Sequence, residues 1–301
     1  NNIESMNAHR NLLMNDRALS KSLERLASGQ KINRAADDPA ALVISEHMRA
    51  QVSGMEQAIR NNEVAISLVQ TAEGSMNEIS SILVSLRQRA ISAANVGASD
   101  QDMIDANQAE IENALASIDR VVSTTQFGHY KLLDGTNAAK TETNEDGSIS
   151  TREGLRFHVG PNAEHMASTS IRDMSTSALG RITVKEGEIP NKSNFMSLAD
   201  IDVRNEQGAQ DALAIIDQAL TEVATVRGEL GAFQKHTLES NLTSLQVAAE
   251  NMTAAESTIR DTDMAQELAT FTRNQIMTQS ATAQLAQANA MPQHVLRLLN
   301  G

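Results

Sequence analysis

The chain has 301 residues, with 38 Asp and Glu against 25 Lys and Arg, and a formal net charge of −13. It has no Cys, no Trp, and only six aromatic side chains: Phe127, Tyr130, Phe157, Phe195, Phe233 and Phe271. This composition excludes disulfide frameworks, thiolate metal sites and cysteine nucleophiles, and it leaves no aromatic platform for stacking nucleic-acid bases. Wholly apolar runs such as Ala40–Ile44 stop at about five residues, against the roughly 18 that a membrane-crossing helix needs, so no membrane insertion is expected.

Helical periodicity dominates. Leu12, Leu19 and Leu26 are seven apart, with Leu23 between them, which predicts a coiled-coil type seam ended by Gly29. Asp37-Asp38-Pro39 reads as a helix start, with an Asp cap and Pro at the first helical position. A stripe then runs through Met48, Val52, Met55, Ile59, Ile66 and Val69, with Asn62 as its polar exception, and continues to about Ala94. Ser99 with Asp102 has the spacing of a capping box, opening a helix to about Gln126.

Residues 128–187 hold seven of the fifteen glycines, and Leu155–Val159 and Thr169–Ile171 read as short strands around Gly160-Pro161-Asn162. Residues 181–206, punctuated by Gly187 and Pro190, read as a surface excursion. A helix resumes near Gln207, with a seam at Leu238, Leu242, Leu245, Ala249, Met252, Glu256 and Ile259. In the tail Ala269, Ile276, Ala283 and Ala290 are seven apart beside Leu285, Met291-Pro292 marks a break, and Val295, Leu296, Leu298 and Leu299 form an apolar plug. The fold class expected is mainly α: a long antiparallel helical bundle with a small β-hairpin region and paired terminal helices.

Charge follows the same division. Residues 1–34 carry +3 and residues 268–301 carry +2, which leaves −18 on the body between them. Ordering the two ends costs more conformational entropy than their own apolar side chains return, so they are expected to order by packing against neighbours, as in an assembly protein. Catalytic signatures are missing. The seven histidines form no HExxH and no i,i+4 pair, Arg260-Asp261-Thr262-Asp263 lacks the glycine and terminal glutamate of a calcium loop, and no Walker loop or GxGxxG occurs. No enzyme activity, metal or cofactor is expected.

Four segments carry a family resemblance. Leu26-Ala27-Ser28-Gly29-Gln30-Lys31-Ile32-Asn33-Arg34-Ala35-Ala36-Asp37-Asp38-Pro39-Ala40 resembles the N-terminal signature of bacterial flagellins. Arg120–Phe127 resembles the end of the family's second spoke helix, Ala255–Ala265 its C-terminal signature, and Gln284–Leu296 its tail. The resemblance implies a filament subunit for motility, extracellular and exported without a cleaved signal peptide. Its partners would be further copies of itself, an export chaperone at the C-terminal helix, and the filament cap and hook–filament junction proteins, with no nucleic acid.

On that reading residues 1–34 are an N-terminal inner-core helix, 35–180 spoke-like helices plus the hairpin, 181–206 a variable surface loop, 207–260 a C-terminal spoke-like helix and 261–301 a C-terminal inner-core helix. Inner-core assembly falls to Leu12, Leu19, Leu23, Leu26, Ile276, Leu285, Val295, Leu296, Leu298 and Leu299. Spoke packing falls to Met48, Val52, Met55, Ile59, Leu238, Leu242, Leu245, Met252 and Ile259, and Asp37, Asp38, Arg260 and Asp261 belong to the signatures. Two alternatives share these features: a hook–filament junction protein, and a periplasmic core-filament flagellin of a spirochaete, which Phe157–Asn162 faintly resembles. The segment that corresponds to the family's innate-receptor motif departs from it at Ser85, Gln88 and Arg89, which weighs against receptor activation.

Overall fold

A computed structural model describes residues 2–95, 100–143, 149–152, 154–181 and 191–299, with the side chains of 140–143, 149–152 and 291–299 outside the description. Six α-helices are described: α1 (Ile3–Ser28), α2 (Pro39–Ala94), α3 (Gln101–Thr124), α4 (Glu206–Ala232), α5 (Ser240–Arg260) and α6 (Met264–Leu299). A π turn, Phe233–Glu239, joins α4 to α5. Three two-stranded antiparallel ladders lie between α3 and α4: β1 (Gln126–Phe127) with β2 (Tyr130–Lys131), β3 (Lys140–Thr143) with β4 (Ile149–Arg152), and β5 (Leu155–His158) with β6 (Met166–Thr169). The chain forms two compact units, residues 1–53 with 248–301, and residues 54–247. The division therefore falls inside α2 and α5, and not at the 34/35 and 260/261 junctions expected from the sequence.

In the unit 54–247 one core is built by three helices. On α2 it follows Met55, Ala58, Asn62, Ala65, Val69, Ala72, Met76, Ile79, Leu83, Leu86 and Ala90, all buried, in steps of three and four. Ile59 and Ile66 are only half-buried on its flank. Four of these positions are alanines, which let helices approach closely but give little hydrophobic signal, so the sequence stripe was right at Met55, Asn62 and Val69 and one residue off at Ile59 and Ile66, where Ala58 and Ala65 face the core. On α3 the core takes Ile104, Ile111, Leu115, Ile118 and Val122, and on α4 Ala209, Ala212, Ile216, Ala219, Val223, Val226 and Leu230.

Within this unit the buried series Ala209, Ile216, Val223, Leu230, Leu238, Leu245 steps by seven except once, by eight, between Leu230 and Leu238. An α-helix turns about 100° per residue, so the extra residue would carry Leu238 off the stripe. The π turn holds one more residue per turn and returns Leu238 and Leu245 to the core.

Residues 191–206 correct the expectation of a surface loop over 181–206. Phe195, Leu198, Ile201 and Val203 are buried in the same core. Helix side chains hold this segment down: Gln108 accepts from the Val203 N–H at 2.9 Å, and Asp211 accepts from the Ser193 N–H and hydroxyl at 2.9 and 2.6 Å. The remainder of the expected loop, 182–190, lies outside the described residues. The expected hairpin is present as β5–β6, with Phe157 opposite Ala167, but its second strand is Met166–Thr169 and not the expected Thr169–Ile171. The Asn61, Asn62 and Asn241 side chains fasten its turn by donating to the carbonyls of His158 and Val159 at 3.0, 3.4 and 2.5 Å. Asp100 is the N-cap residue of α3, with no side-chain cap bond, whereas Ser99 lies outside the described residues. The expected break at Met291-Pro292 is not seen, because α6 continues to Leu299.

Candidate assembly interface

The unit of residues 1–53 and 248–301 is built on the antiparallel pairing of α1 with α6. The Asn2 side chain accepts from the Ser5 N–H, capping α1, and donates to the Ala288 carbonyl at 2.6 Å. Farther along, the Ser5 hydroxyl donates to the Asn289 side chain at 2.7 Å, Asn274 donates to the Ser22 hydroxyl at 3.3 Å, and Arg25 faces Glu267 at 3.6 Å. Residues 2 and 5 at the start of α1 thus meet 288 and 289, and residues 22 and 25 near its end meet 274 and 267, which fixes an antiparallel register over most of both helices.

Leu12, Leu19 and Leu26 are half-buried along α1, with Ser22 fully buried beside them. Leu23, expected in the same seam, is 56% exposed. It lies about 100° around the helix from Ser22, and a helix with a single neighbour has a narrow covered stripe. On α6 the covered series are Phe271, Thr278 and Leu285, and Asn274, Ala281 and Ala288. The expected series through Ala269, Ile276 and Ala283 is exposed, Ile276 at 58%. The polar members Asn274 and Thr278 hid the true stripe. Val295, Leu296, Leu298 and Leu299 lie in the last turns of α6, with side chains outside the described residues.

Opposite the seam, α1 carries a second apolar set: Ile3, Met6, Leu13 and Met14, all exposed. Leu268 and Met277 are likewise exposed on α6, as are Val43 and Ile44 at the start of α2. These side chains had no place in the sequence reading, because they do not follow the leucine seam.

The two signature segments meet. Gly29 ends α1 with φ 71°, its N–H donating to the Arg25 carbonyl at 2.8 Å. This left-handed conformation is one that glycine adopts at no steric cost. Gln30 then bridges Asp261: the Lys31 N–H donates to the Arg260 carbonyl at 2.6 Å and the Thr262 N–H to the Gly29 carbonyl at 2.9 Å. Asp38 caps α2 by accepting from the Ala41 N–H at 3.0 Å. Asp37 accepts from the Asn33 and Arg34 N–H groups and pairs with Lys21 at 2.7 Å. The Lys21 ammonium, followed by those backbone donors, holds the Asp37 carboxyl down at about 2. Arg260 reaches Glu46, and this hydrogen bond holds the Glu46 carboxyl below its ordinary value. Asp261 accepts from the Ser257 hydroxyl, and Asp263 caps α6 through the Ala265 N–H. Asp37, Asp38, Asp261 and Asp263 of the two signatures thus each have a structural partner.

Of the remaining residues expected in packing, Met48, Val52, Met252 and Ile259 are half-buried in this unit. In the other unit Met55, Leu238 and Leu245 are buried and Leu242 half-buried. Among the described residues no helix is long and apolar enough to cross a membrane.

Residues 1–138 match the bacterial flagellin N-terminal helical region, and residues 213–299 match the bacterial flagellin C-terminal helical region. The chain belongs to the bacterial flagellin family. It is similar to flagellin of Bacillus subtilis, 40% identical over 99% of this chain and 98% of the relative. It is also similar to the flagellar filament 30.7 kDa core protein of Treponema maltophilum, 38% identical over 99% and 98%. A solved structure from Vibrio parahaemolyticus, whose name places it among flagellar hook-associated proteins, superposes with a TM-score of 0.57 over 75% of this chain and 100% of that one. At 14% identity that likeness is one of fold alone. As a flagellin, the chain is a structural subunit of the flagellar filament.

Proposed function

We propose that the α1–α6 pair is the element through which this flagellin polymerises, and that its role is structural, with no catalytic chemistry. The observation that carries this reading is the outward face of α1. Ile3, Met6, Leu13 and Met14, interspersed with Arg10 and Arg17 on the same face, remain exposed after α1 has paired with α6, and a cluster of exposed large apolar side chains marks an association surface. Leu12, Leu19, Leu26 and Leu285 hold the pair together. The outward set, with Leu23 and Ile276, packs against further copies in a helical homopolymer. Val295, Leu296, Leu298 and Leu299 extend the same apolar role to the end of α6, where an export chaperone covers them before assembly. The cap and hook–filament junction proteins are the other partners, and the unit 54–247 is the spoke-like part. The filament is extracellular.

Electron microscopy of the purified chain tests the reading. The parent forms long tubes, and Leu13→Asp forms none while the unit 54–247 keeps its thermal transition. Normal filaments from Leu13→Asp would overturn the assignment of the outward face. A second reading rests on the 38% identity with the Treponema core protein, close to the 40% with the Bacillus flagellin: the filament then runs in the periplasm. Immunogold labelling of whole and permeabilised cells separates the two locations.

A further inference from the structure

The chain has 13 methionines and neither Cys nor Trp, so the thioether is its main oxidisable side chain. Met55, Met76 and Met174 are buried in the core of the unit 54–247. Met103, Met166, Met196, Met264 and Met277 are exposed, at 41–51%. Met6 and Met14, 67% and 52% exposed, are set apart by their place on the outward face of α1 beside Ile3 and Leu13. The seam on the other side of the same helix uses Leu12, Leu19 and Leu26, which offer an oxidant no soft atom.

We propose that Met6 and Met14 form an oxidation-sensitive modification site, open to hydroperoxides in the unassembled subunit and closed once the subunit is in the filament. The inference rests on the outward face of α1 being the assembly surface. The thioether sulfur attacks one oxygen of hydrogen peroxide, the O–O bond breaks as the S–O bond forms, and the proton on the transferred oxygen passes to the other, which leaves as water. Sulfur is oxidised by two electrons and the peroxide is reduced by two. The product, methionine sulfoxide, is polar and chiral. It must then enter an apolar contact where no partner for its oxygen is provided, and burying an unpartnered polar group weakens association by about tenfold or more per site. Peroxide therefore stops incorporation of new subunits and spares the filament already built.

The test treats monomer and filament separately with hydrogen peroxide and reads each methionine by peptide mass spectrometry. It then measures the critical concentration for polymerisation. Met6 and Met14 are expected to convert in monomer and to stay reduced in filaments. The oxidised monomer should show a critical concentration raised at least about tenfold. Met6→Leu/Met14→Leu, which keeps volume and apolar character, should polymerise after the same treatment as it does before it. Methionine sulfoxide reductases should restore the oxidised parent, a readout that holds if the double variant assembles poorly for its own reasons. Equal conversion of Met6 and Met14 in monomer and filament would overturn the assembly-face reading beneath the proposal. Protection in the filament together with an unchanged critical concentration would overturn the proposal alone. So would equal poisoning of the leucine variant, which would place the lesion at other methionines.

Discussion

Arg260 donates to the Glu46 carboxylate at 2.7 Å, joining the end of α5 to the start of α2 across 214 residues of sequence. The Arg260 side chain is only 14% exposed at this contact. With the Lys21–Asp37 pair it ties together the segments that flank the bridge of Gln30 with Asp261.

These pairs make the junction sensitive to acid. A carboxylate whose folded value is depressed contributes stability above its unfolded value and loses it as pH falls through the folded one. For Asp37 that window runs from 3.8 down to about 2. The amide resonance of Arg34, which donates to Asp37, should titrate with a midpoint near the lower limit, and Lys21→Ala should move that midpoint upward. A midpoint at the ordinary carboxylate value in the parent would show that the pair does not form in solution.

Leu198→Ala tests the correction to the surface loop. Leu198 is fully buried among α3, α4 and the loop residues of one core. The substitution should cost about 2–5 kcal/mol, read as a lowered thermal midpoint of the unit 54–247. A solvent-exposed leucine would give a change within about 0.5 kcal/mol, and that result would return the segment to the surface.

The π turn yields a prediction contrary to the usual effect of a deletion inside a helix. Removing the exposed Lys235 restores a seven-residue step from Leu230 to Leu238, so an uninterrupted α-helix then keeps both on the stripe. Stability should change by no more than about 1 kcal/mol, and Lys235→Ala, which leaves the spacing of eight, should retain the π turn. A loss of several kcal/mol on deletion would show that the π turn makes a contact of its own, with Phe233 against Phe157 as the place to look: their ring centroids are 6.3 Å apart.

Limited proteolysis should separate the two units. Ser22 is the buried residue of α1, and Ala281 is the buried hydrophobic residue among the described side chains of α6. A helix pair with so little fully buried surface opens readily. Dilute monomer should therefore be cut within 1–53 and 248–301 and protected over 54–247, whereas filaments should resist at both ends. Equal protection of both units in monomer would contradict this.

The sequence by itself determined the helical class, the start of α2 at Asp38-Pro39, the end of α1 at Gly29 and the hairpin around Gly160-Pro161-Asn162. Each of these is set by residues a few positions apart, through capping, φ restriction and turn chemistry, which act whatever the rest of the chain does. The signature motifs were equally legible, because they are contiguous. Tertiary structure decided which face of each helix is covered. On α2 the core runs through Ala58, Asn62 and Ala65, and on α6 through Asn274, Thr278 and Ala281. Small and polar residues there permit close approach or make specific bonds, as Asn62 does to Val159, but they leave no hydrophobic period to read. The phase shift at the π turn was hidden for a related reason: a spacing of eight between Leu230 and Leu238 acquires meaning only when both must face one core. The same holds for Met6 and Met14, whose exposure follows from α6 occupying the other side of α1.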